Sequence, residues 1–558
     1  MPPAPQPDAV SALVEALQLP ETVCRLVAAR GYAEPEAAKR FLRPRLEHLH
    51  DPSTLLDLDR AVERLAHAIR RGETILVHGD YDVDGMCSTT LMVRTLRALG
   101  ARAEPFIPQR LRDGYDLTDA GVRAALDVGA KVVLTCDCGT SAVAPVRALQ
   151  QAGVDVIITD HHLPGGPLPE AFAVINPKRA GCPSPDKDLA AVGVAFKLAL
   201  ALVRAFGERE QFVFEMLDLV ALATVADIAP LRGENRVFVR YGLRMLAETR
   251  NVGLRALIRA AGLDRKPLTA GRVGYILAPR LNAVGRLDHA LRGVQLLMAE
   301  SEADANRLAR DFEELNARRQ DIDRQTLDTA TRMVEALDLD RTFGIVLAGE
   351  GWHPGVIGIV ASRVVERFGR PAILIALDGD EGKGSGRSIS PFDLHAGIGA
   401  CRDLLIRFGG HRSAAGVTIA RRNVEAFAER FNDVARAALT PDDLVPEVRV
   451  DLELPFDAAT DQLESLLRHL EPCGAGNPAP VLVSRGVTLG APPRVVGKDG
   501  LRLTLQHAGH TLGAIGWGMA ERKSELDPAR PVDVAFRLDR DEWNGEQRLQ
   551  ARLADFRS

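Results

Sequence analysis

Apolar positions change their spacing several times along this chain, and each change predicts an element. From Leu58 to Arg71 they recur at helical spacing, with Gly72 placed where a helix would stop. Thr74 to Val77 is a short apolar run of strand length, Ser88 to Leu99 returns to helical spacing, and Ala103 to Ile107 reads as strand again. The alternation continues with a helix over Ala120 to Leu126, a strand over Lys131 to Thr135, a helix over Ala142 to Ala152 closed by Gly153, and a strand over Val154 to Thr159. Such repetition predicts βαβ units, a parallel sheet with helices covering both faces.

From Ala190 to about Arg250 the pattern is mainly helical, including a long apolar stretch through Val225. Glu300 to Leu337 is charged, with Leu308, Phe312, Leu315, Ile322 and Leu327 spaced for one long helix. Its polar majority fits a helix joining two lobes better than one inside a core. Arg341 to Ala348 resets to strand and opens a second α/β unit that runs to about Leu439. Thr440-Pro441-Asp442-Asp443 reads as a linker, and from Pro446 short strands broken by Gly and Pro turns predict a small β-barrel. A chain of 558 residues is too long for one core. The expected organisation is a helical segment over 1–50, an α/β domain over 51–250, connecting helices over 251–340, a second α/β domain over 341–440 and a barrel over 441–558.

Composition changes this picture little. Hydrophobic content of 46% with 26% charged residues is that of a globular protein. The start, MPPAPQPDAV, lacks a basic region followed by an apolar core, and the apolar run Val192 to Val203 contains Lys197 and is too short for a membrane span. A cytoplasmic protein with no membrane partner is the expectation. A net charge of −5 argues against coating nucleic acid with the whole surface, but a local basic groove is all that a single strand needs. The seven cysteines include no C-x-x-C pair and are expected to be reduced thiols; Cys136 and Cys138 flank Asp137 and share one face if that segment stays a strand.

Candidate chemistry gathers at strand ends. Val77-His78-Gly79-Asp80-Tyr81-Asp82-Val83-Asp84-Gly85 lies where a strand stops and a helix begins, the edge at which open α/β sheets bind ligands. Three carboxylates and an imidazole in seven residues repel one another, and a divalent cation would resolve that. The bland alternative is an acidic turn with Asp84 as helix N-cap. Thr135-Cys136-Asp137-Cys138-Gly139 and Ile158-Thr159-Asp160-His161-His162 are further apolar strands that end in metal-ligand side chains. Singly, Asp137 reads as a helix cap and the paired histidines as a polar loop; together, three strand ends at one sheet edge argue for a shared metal site. Asp227, after the apolar run through Val225, is a fourth candidate.

The series His78-x-x-x-Asp82-x-Asp84, Asp137, Asp160-His161-His162, Asp227 resembles the DHH phosphoesterase family, and His-Gly-Asp-Tyr-Asp-Val-Asp-Gly is similar to its RecJ exonuclease branch. Further segments carry the likeness: Phe41-Leu42-Arg43-Pro44, Ala278 to Arg286, Gly384-Ser385-Gly386-Arg387-Ser388, Phe408-Gly409-Gly410-His411 and Glu471 to Pro478. Departures are Cys and Thr around Asp137, Cys473 for a common Phe, and Asp113-Gly114-Tyr115-Asp116 for the usual Glu-Gly-Tyr-Gly. The resemblance implies a DHH domain, a DHH-associated domain and an oligonucleotide-binding (OB) barrel.

It also implies two Mn²⁺ or Mg²⁺ ions, one on His78, Asp82 and Asp137 and the other on Asp84, Asp137, His161 and Asp227. Asp160 would orient His161, and His162 would face the substrate phosphate or support the nucleophile. Asp80 lies outside the general ligand pattern and joins Asp137, His161 and His162 as a candidate catalytic residue. Arg280, Asn282, Ser385, Arg387, Gly409, Gly410 and His411 would grip phosphate. Tyr115 and Trp543 are candidates to stack on bases, and Arg494, Lys498, Arg502 and Arg548 to hold phosphates along the barrel. The implied activity is a 5′-to-3′ exonuclease that degrades single-stranded DNA to 5′-mononucleotides in recombination and repair, working as a monomer with a helicase and a single-strand-binding protein as partners. Spacing alone shows no direction of degradation. The alternatives are a phosphodiesterase of short oligonucleotides or cyclic dinucleotides, and a non-catalytic DNA-binding replication scaffold.

Overall fold

A computed structural model describes residues 4–543 and 546–558, without the side chains of residues 542–546. The chain forms two compact units: one takes in the residues up to Phe106, Tyr115–Ala278 and Val448–Ser558, the other Ile107–Gly114 and Pro279–Glu447. Among the described residues no helix is long and apolar enough to cross a membrane.

The first unit is organised on five parallel strands, β1 (Thr74–Gly79), β2 (Arg102–Phe106), β3 (Val132–Cys136), β4 (Asp155–Thr159) and β5 (Ala173–Ile175), in the order β2-β1-β3-β4-β5. The central strands are buried on both faces, so they read as continuous apolar runs. After β1 the chain passes to β2 on one side and then crosses to β3 on the other, which makes the β1–β3 boundary the switch point where such sheets open a crevice. The register there is direct. Gly79 pairs with Cys136, Cys136 with Thr159, and Thr159 with Ile175, so the next residues, Asp80, Asp137, Asp160 and Asn176, stand in a row at one edge.

Three details differ from the sequence expectation. The helix after β1 spans Val83–Ala98, five residues earlier than its apolar spacing indicated, because its first turn carries the acidic motif. Its N-cap is Asp82, not Asp84: the Asp82 carboxylate accepts from the backbone N–H of Asp84 and Gly85 at 2.9 and 3.1 Å. Strand β5 was not foreseen, since three residues leave too short a run for a period of two to register.

The second unit holds a mixed sheet of β6 (Ile345–Glu350), β7 (Ala372–Asp378), β8 (Glu381–Arg387), β9 (Leu405–Gly410) and β10 (Ala414–Ala420), ordered β6-β7-β8-β10-β9 with only β6–β7 parallel. The long helix is Glu302–Glu335, and the whole of it lies in this unit. Its last turns bury Ala330 and Val334 in a core with Ile345, Val360 and Leu374, while its middle buries the polar Asn316, Arg319 and Asp323.

The first unit also contains the predicted barrel: β11 (Leu452–Glu453), β12 (Leu482–Val496), β13 (Gly500–His507), β14 (His510–Gly516), β15 (Val532–Trp543) and β16 (Glu546–Arg557). Strands β12 to β16 close on themselves because β12 pairs with both β13 and β15, and the two-residue β11 adds a short parallel edge to β12. The strands are longer than their sequence suggested, since register shifts bend β12 and β15 without ending them. The helices Pro7–Leu17, Glu21–Ala29 and Pro35–Leu42 share the barrel's core: Leu13, Val23, Leu26 and Phe41 cluster with Leu470, Leu503 and Phe536.

Buried Arg236, on the helix Gly233–Ala247, ties these parts together by donating to the carbonyls of Phe41, Glu471 and Pro472 at 2.7, 2.8 and 3.1 Å. The Glu471–Pro478 motif is thus part of a clasp; Asn477 within it donates to the Leu470 and Pro472 carbonyls and accepts from Arg30.

Candidate metal centre and phosphate contacts

The acidic edge is built from backbone upward. Gly85 is required where it stands, because a Cβ would lie 2.4 Å from the carbonyl oxygen of Asp80 as the loop folds back. Asp84 enters the first helical turn, and its two oxygens accept from the N–H groups of Ala191 and Val192 at 2.8 and 2.9 Å, at the N-terminus of the helix Ala191–Ala205. A helix N-terminus favours a carboxylate there. Asp137 has φ +68° and Gly139 +109°, so the strand breaks at Cys136 and the two cysteines do not continue one strand face. A non-glycine residue at positive φ is strained, and such strain gathers at functional sites.

Ligand atoms come within 4.8 Å of one another in three groups: Asp80, Asp82 and Asp137; Asp84, His161 and Asp227; and Asp137, His161 and His162. Asp137 belongs to the first and third, and His161 to the second and third. The His161 Nε2 lies 3.2 Å from Asp137 Oδ1, and its Nδ1 3.8 Å from Asp227 Oδ2. Asp137 Oδ1 and His161 Nε2 are both buried and lack a hydrogen-bond partner. Burial and neighbouring carboxylates push Asp84 up to about 7 and Asp227 to about 8, and raise Asp137 well above the carboxylate range. Burial lowers His161 to about 3, so its ring is neutral. Crowded carboxylates and a neutral imidazole, with two lone-pair atoms facing each other, are the donor set that suits Mn²⁺ or Mg²⁺.

His78 is fully buried on β1 and belongs to none of these groups. Its Nδ1 lies 3.5 Å from Cys138 Sγ, its Nε2 has no hydrogen-bond partner, and a Cβ on Gly121 would sit 2.7 Å from that nitrogen. Asp80, which the general ligand pattern leaves out, stands among the grouped acids instead.

The Asp160 carboxylate does not reach the His161 ring as the resemblance implied. It meets the His162 Nδ1 at 2.8 Å and accepts from the backbone of His161, His162 and Thr140. Against the opposing effect of burial, that hydrogen bond and charge raise His162 to about 9, leaving it cationic at neutral pH beside a neutral neighbour. Tyr115, 46% exposed, places its hydroxyl 3.2 Å from His162 Nε2 and packs edge-on to Tyr81.

Two contributors went unnoticed in the sequence. Asn176 is fully buried and donates to Thr140 Oγ1 at 3.0 Å and the His162 carbonyl at 2.8 Å; its signal was an apolar run, Ala173-Val174-Ile175, ending in a polar residue like its neighbours. Asp116 has φ +77°, and its Oδ1 accepts from Gly139 N–H at 2.6 Å and Leu117 N–H at 2.8 Å. It anchors the loop that carries Asp137, and no local pattern announces a contact made across 23 residues.

In the second unit the sheet aligns two of the phosphate motifs. Ser385 on β8 pairs with Gly416, and Gly416 with Gly409 on β9. Arg387 donates to Ser385 Oγ at 3.2 Å, and a Cβ on Gly358, in the first turn of the helix Ile357–Phe368, would lie 2.8 Å from that oxygen. A helix N-terminus, a hydroxyl and a guanidinium thus meet without intervening side chains, an arrangement suited to an anion. Gly410 has φ +141°, and a Cβ there would strike the Ala414 carbonyl at 2.5 Å, so the hairpin that carries exposed His411 needs glycine. Arg280 and Asn282 lie on the helix Ala278–Leu287, and Arg280 is clamped by both Glu313 oxygens at 2.6 and 3.0 Å.

On the barrel, Arg494, Lys498 and Arg502 are exposed on the β12–β13 hairpin, and Arg548 is exposed on β16. The Trp543 side chain and Asn544-Gly545 lie outside the described residues. Trp517, 55% exposed and packed near Gly500 of that hairpin, is an aromatic that the sequence reading passed over.

Comparison with known proteins follows the same division. Family models match at residues 74–224 (DHH family, N-terminal domain), 341–437 (DHHA1 domain) and 450–555 (RecJ OB domain). The chain is 38% identical over 554 residues to the single-stranded-DNA-specific exonuclease RecJ of Bacillus subtilis (strain 168), covering 99% of this chain and 70% of that one. It is 37% identical to the protein of that name from Salmonella typhimurium, over 96% of each chain. The crystal structure of RecJ from Thermus thermophilus in complex with Mn²⁺ matches with a TM-score of 0.86 at 33% identity, covering 100% of this chain and 78% of that one. The corresponding complex with Mg²⁺ gives 0.80 at 32% identity, covering 100% and 77%.

Proposed function

This chain belongs to the RecJ family of single-stranded-DNA-specific exonucleases, and we propose that it degrades single-stranded DNA from the 5′ end to 5′-mononucleotides, in recombination and repair. The observation that carries this reading is the register of β1, β3 and β4, which sets Asp80, Asp137 and Asp160 side by side at the sheet's switch point. His78 or Asp80 with Asp82 and Asp137, and Asp84, Asp137, His161 and Asp227, would hold two divalent cations, Mn²⁺ or Mg²⁺, whose charge would acidify a bound water and offset that of the scissile phosphate.

The chain's own residues do the rest. Asp137 would serve both ligand sets, since it groups with Asp80 and Asp82 on one side and with His161 and His162 on the other. His162, kept cationic by Asp160, sets a positive charge toward the substrate phosphate, and Tyr115 steadies its ring. Arg280 and Arg387 hold a terminal 5′ phosphate through guanidinium forks, joined by Ser385, Asn282 and His411, while Gly409 and Gly410 let the backbone approach. Gripping that terminal group sets the polarity. The barrel's Arg494, Lys498, Arg502 and Arg548 extend the strand's path. The partners are single-stranded DNA, a helicase that supplies it and a single-strand-binding protein, and the enzyme works in the cytoplasm as a monomer.

The test is hydrolysis of 5′-labelled single-stranded DNA, duplex DNA and a cyclic dinucleotide with Mn²⁺, by wild type and Asp137→Ala. Mononucleotide release from the single strand alone is expected, and a loss of at least about a thousandfold in the variant. Equal turnover by the variant would refute the metal assignment, and preference for the cyclic dinucleotide would refute the substrate.

A further inference from the structure

Beside the barrel, the first unit holds a cleft of about 780 Å³ that shares no residue with the metal centre. Its walls come from the helix Gly233–Ala247, the π-helical turn Val273–Leu277 and strands β15 and β16. Two pairs of arginines line it, and local geometry disfavours both. Arg240 and Arg244 stand four residues apart on the helix, where like charges repel. Arg537 and Arg552 are direct cross-strand partners in the β15–β16 ladder, both exposed, and like charges placed directly opposite destabilise a sheet.

Among the described residues none of the four makes an ion pair within 4.0 Å, though the Glu471 charge acts on Arg240 from farther off. Arg240 reaches only the Glu471 carbonyl, at 3.5 Å, and Arg244 lies 6.0 Å from the centre of the Tyr241 ring. The cleft's own acids, Glu471 and Asp539, leave two positive charges in excess, four against two. Tyr275, 88% exposed, stands in the same cleft on the π-helical turn, a backbone distortion frequent at functional sites. Four crowded cations beside a bared aromatic ring form a surface completed by a polyanion that carries flat rings.

We propose that this cleft is a second binding subsite for single-stranded nucleic acid, separate from the metal centre. Phosphates lie against Arg240, Arg244, Arg537 and Arg552, and a base stacks on Tyr275. The choice of ligand rests on the exonuclease reading. An acidic peptide is the other polyanion that could enter, but it makes no use of an exposed aromatic face, and a backbone with one charge per nucleotide meets two rows of arginine better.

The experiment is fluorescence anisotropy of a long labelled oligothymidylate with the full-length, metal-free protein, over a salt series. In the double variant Arg537→Gln/Arg552→Gln the slope of log affinity against log salt should shrink by about 1.4. Tyr275→Ala should weaken binding about tenfold. Arg537→Lys/Arg552→Lys should restore most of the slope. The Gln variants should melt no lower than wild type, because they relieve a repulsion; a purely structural role predicts the reverse. Unchanged affinity and slope in the Gln and Tyr275→Ala variants would overturn the proposal, as would retained strand binding with loss of binding to a poly-aspartate peptide. Binding is read without catalysis, so failure of wild type to hydrolyse any strand would count against the exonuclease reading and leave this measurement valid.

Discussion

The acidic edge of the parallel sheet and the arginine cleft beside the barrel both crowd charges of one sign, yet only the first is held in place. At the edge the acids are set by backbone contacts: Asp84 by two amides of a helix N-terminus, Asp160 by three backbone N–H groups and His162, and the Asp137 loop through Asp116. In the cleft, among the described residues, the guanidiniums reach one carbonyl and one ring face. Burial makes the difference. Buried like charges are tolerable only with fixed geometry and a counter-charge, whereas exposed ones are screened by water and salt. The first arrangement suits ions that must sit in one place, the second a flexible strand.

Stability against pH should sharpen the contrast most. In the folded, metal-free chain Asp84 and Asp227 keep their protons until about 7 and about 8. The unfolded chain releases them near pH ~4. Below pH ~6.5 the buried neutral His78 and His161, lowered to about 4 and about 3, offset this because the unfolded chain protonates them; above it the unfolded state binds fewer protons, so metal-free stability falls, on the order of a few kcal/mol by pH 8. Saturating Mn²⁺ should flatten that slope. Urea midpoints in EDTA and in Mn²⁺, at pH 5 and pH 8, check it; a metal-free protein equally stable at both would break the idea that the edge is charge-strained.

Removing a fastening tests the rigid half directly. Asp116→Gly permits the positive φ but loses the acceptor for Gly139 N–H, and should weaken Mn²⁺ binding about 10–100-fold, whereas Asp116→Asn keeps an acceptor and much of the affinity. Titration calorimetry with Mn²⁺ reads this without turnover. The smallest effect belongs to the second unit, where Glu313 fixes the Arg280 fork. Glu313→Gln should lower the preference for 5′-phosphorylated over 5′-hydroxyl substrate about threefold, as expected for one solvent-accessible ion pair, read as a ratio of kcat/KM values.

Much of the fold was legible because its signals are local. Apolar runs placed β1 to β4, and helical spacing of apolar residues placed the helix Glu302–Glu335. What escaped needed partners distant in sequence or a special backbone. Asp82 rather than Asp84 caps its helix, since only the folded loop decides which carboxylate faces the free amides. Asp160 serves His162 rather than the His161 ring because of how the chain turns after β4. The initial helices join the barrel's core, although more than 400 residues separate Leu13 from Leu470.

By itself the sequence determined which side chains end the strands and that those strands lie parallel, because hydrophobic periodicity and strand-end chemistry are properties of neighbouring residues. Tertiary structure alone decided the rest: the register that aligns Asp80, Asp137 and Asp160, the left-handed turn at Asp137, the anchor from Asp116 and the facing arginines of the cleft. Each of these depends on two stretches of chain arriving at one place, and that is settled by packing and backbone hydrogen bonding across the fold.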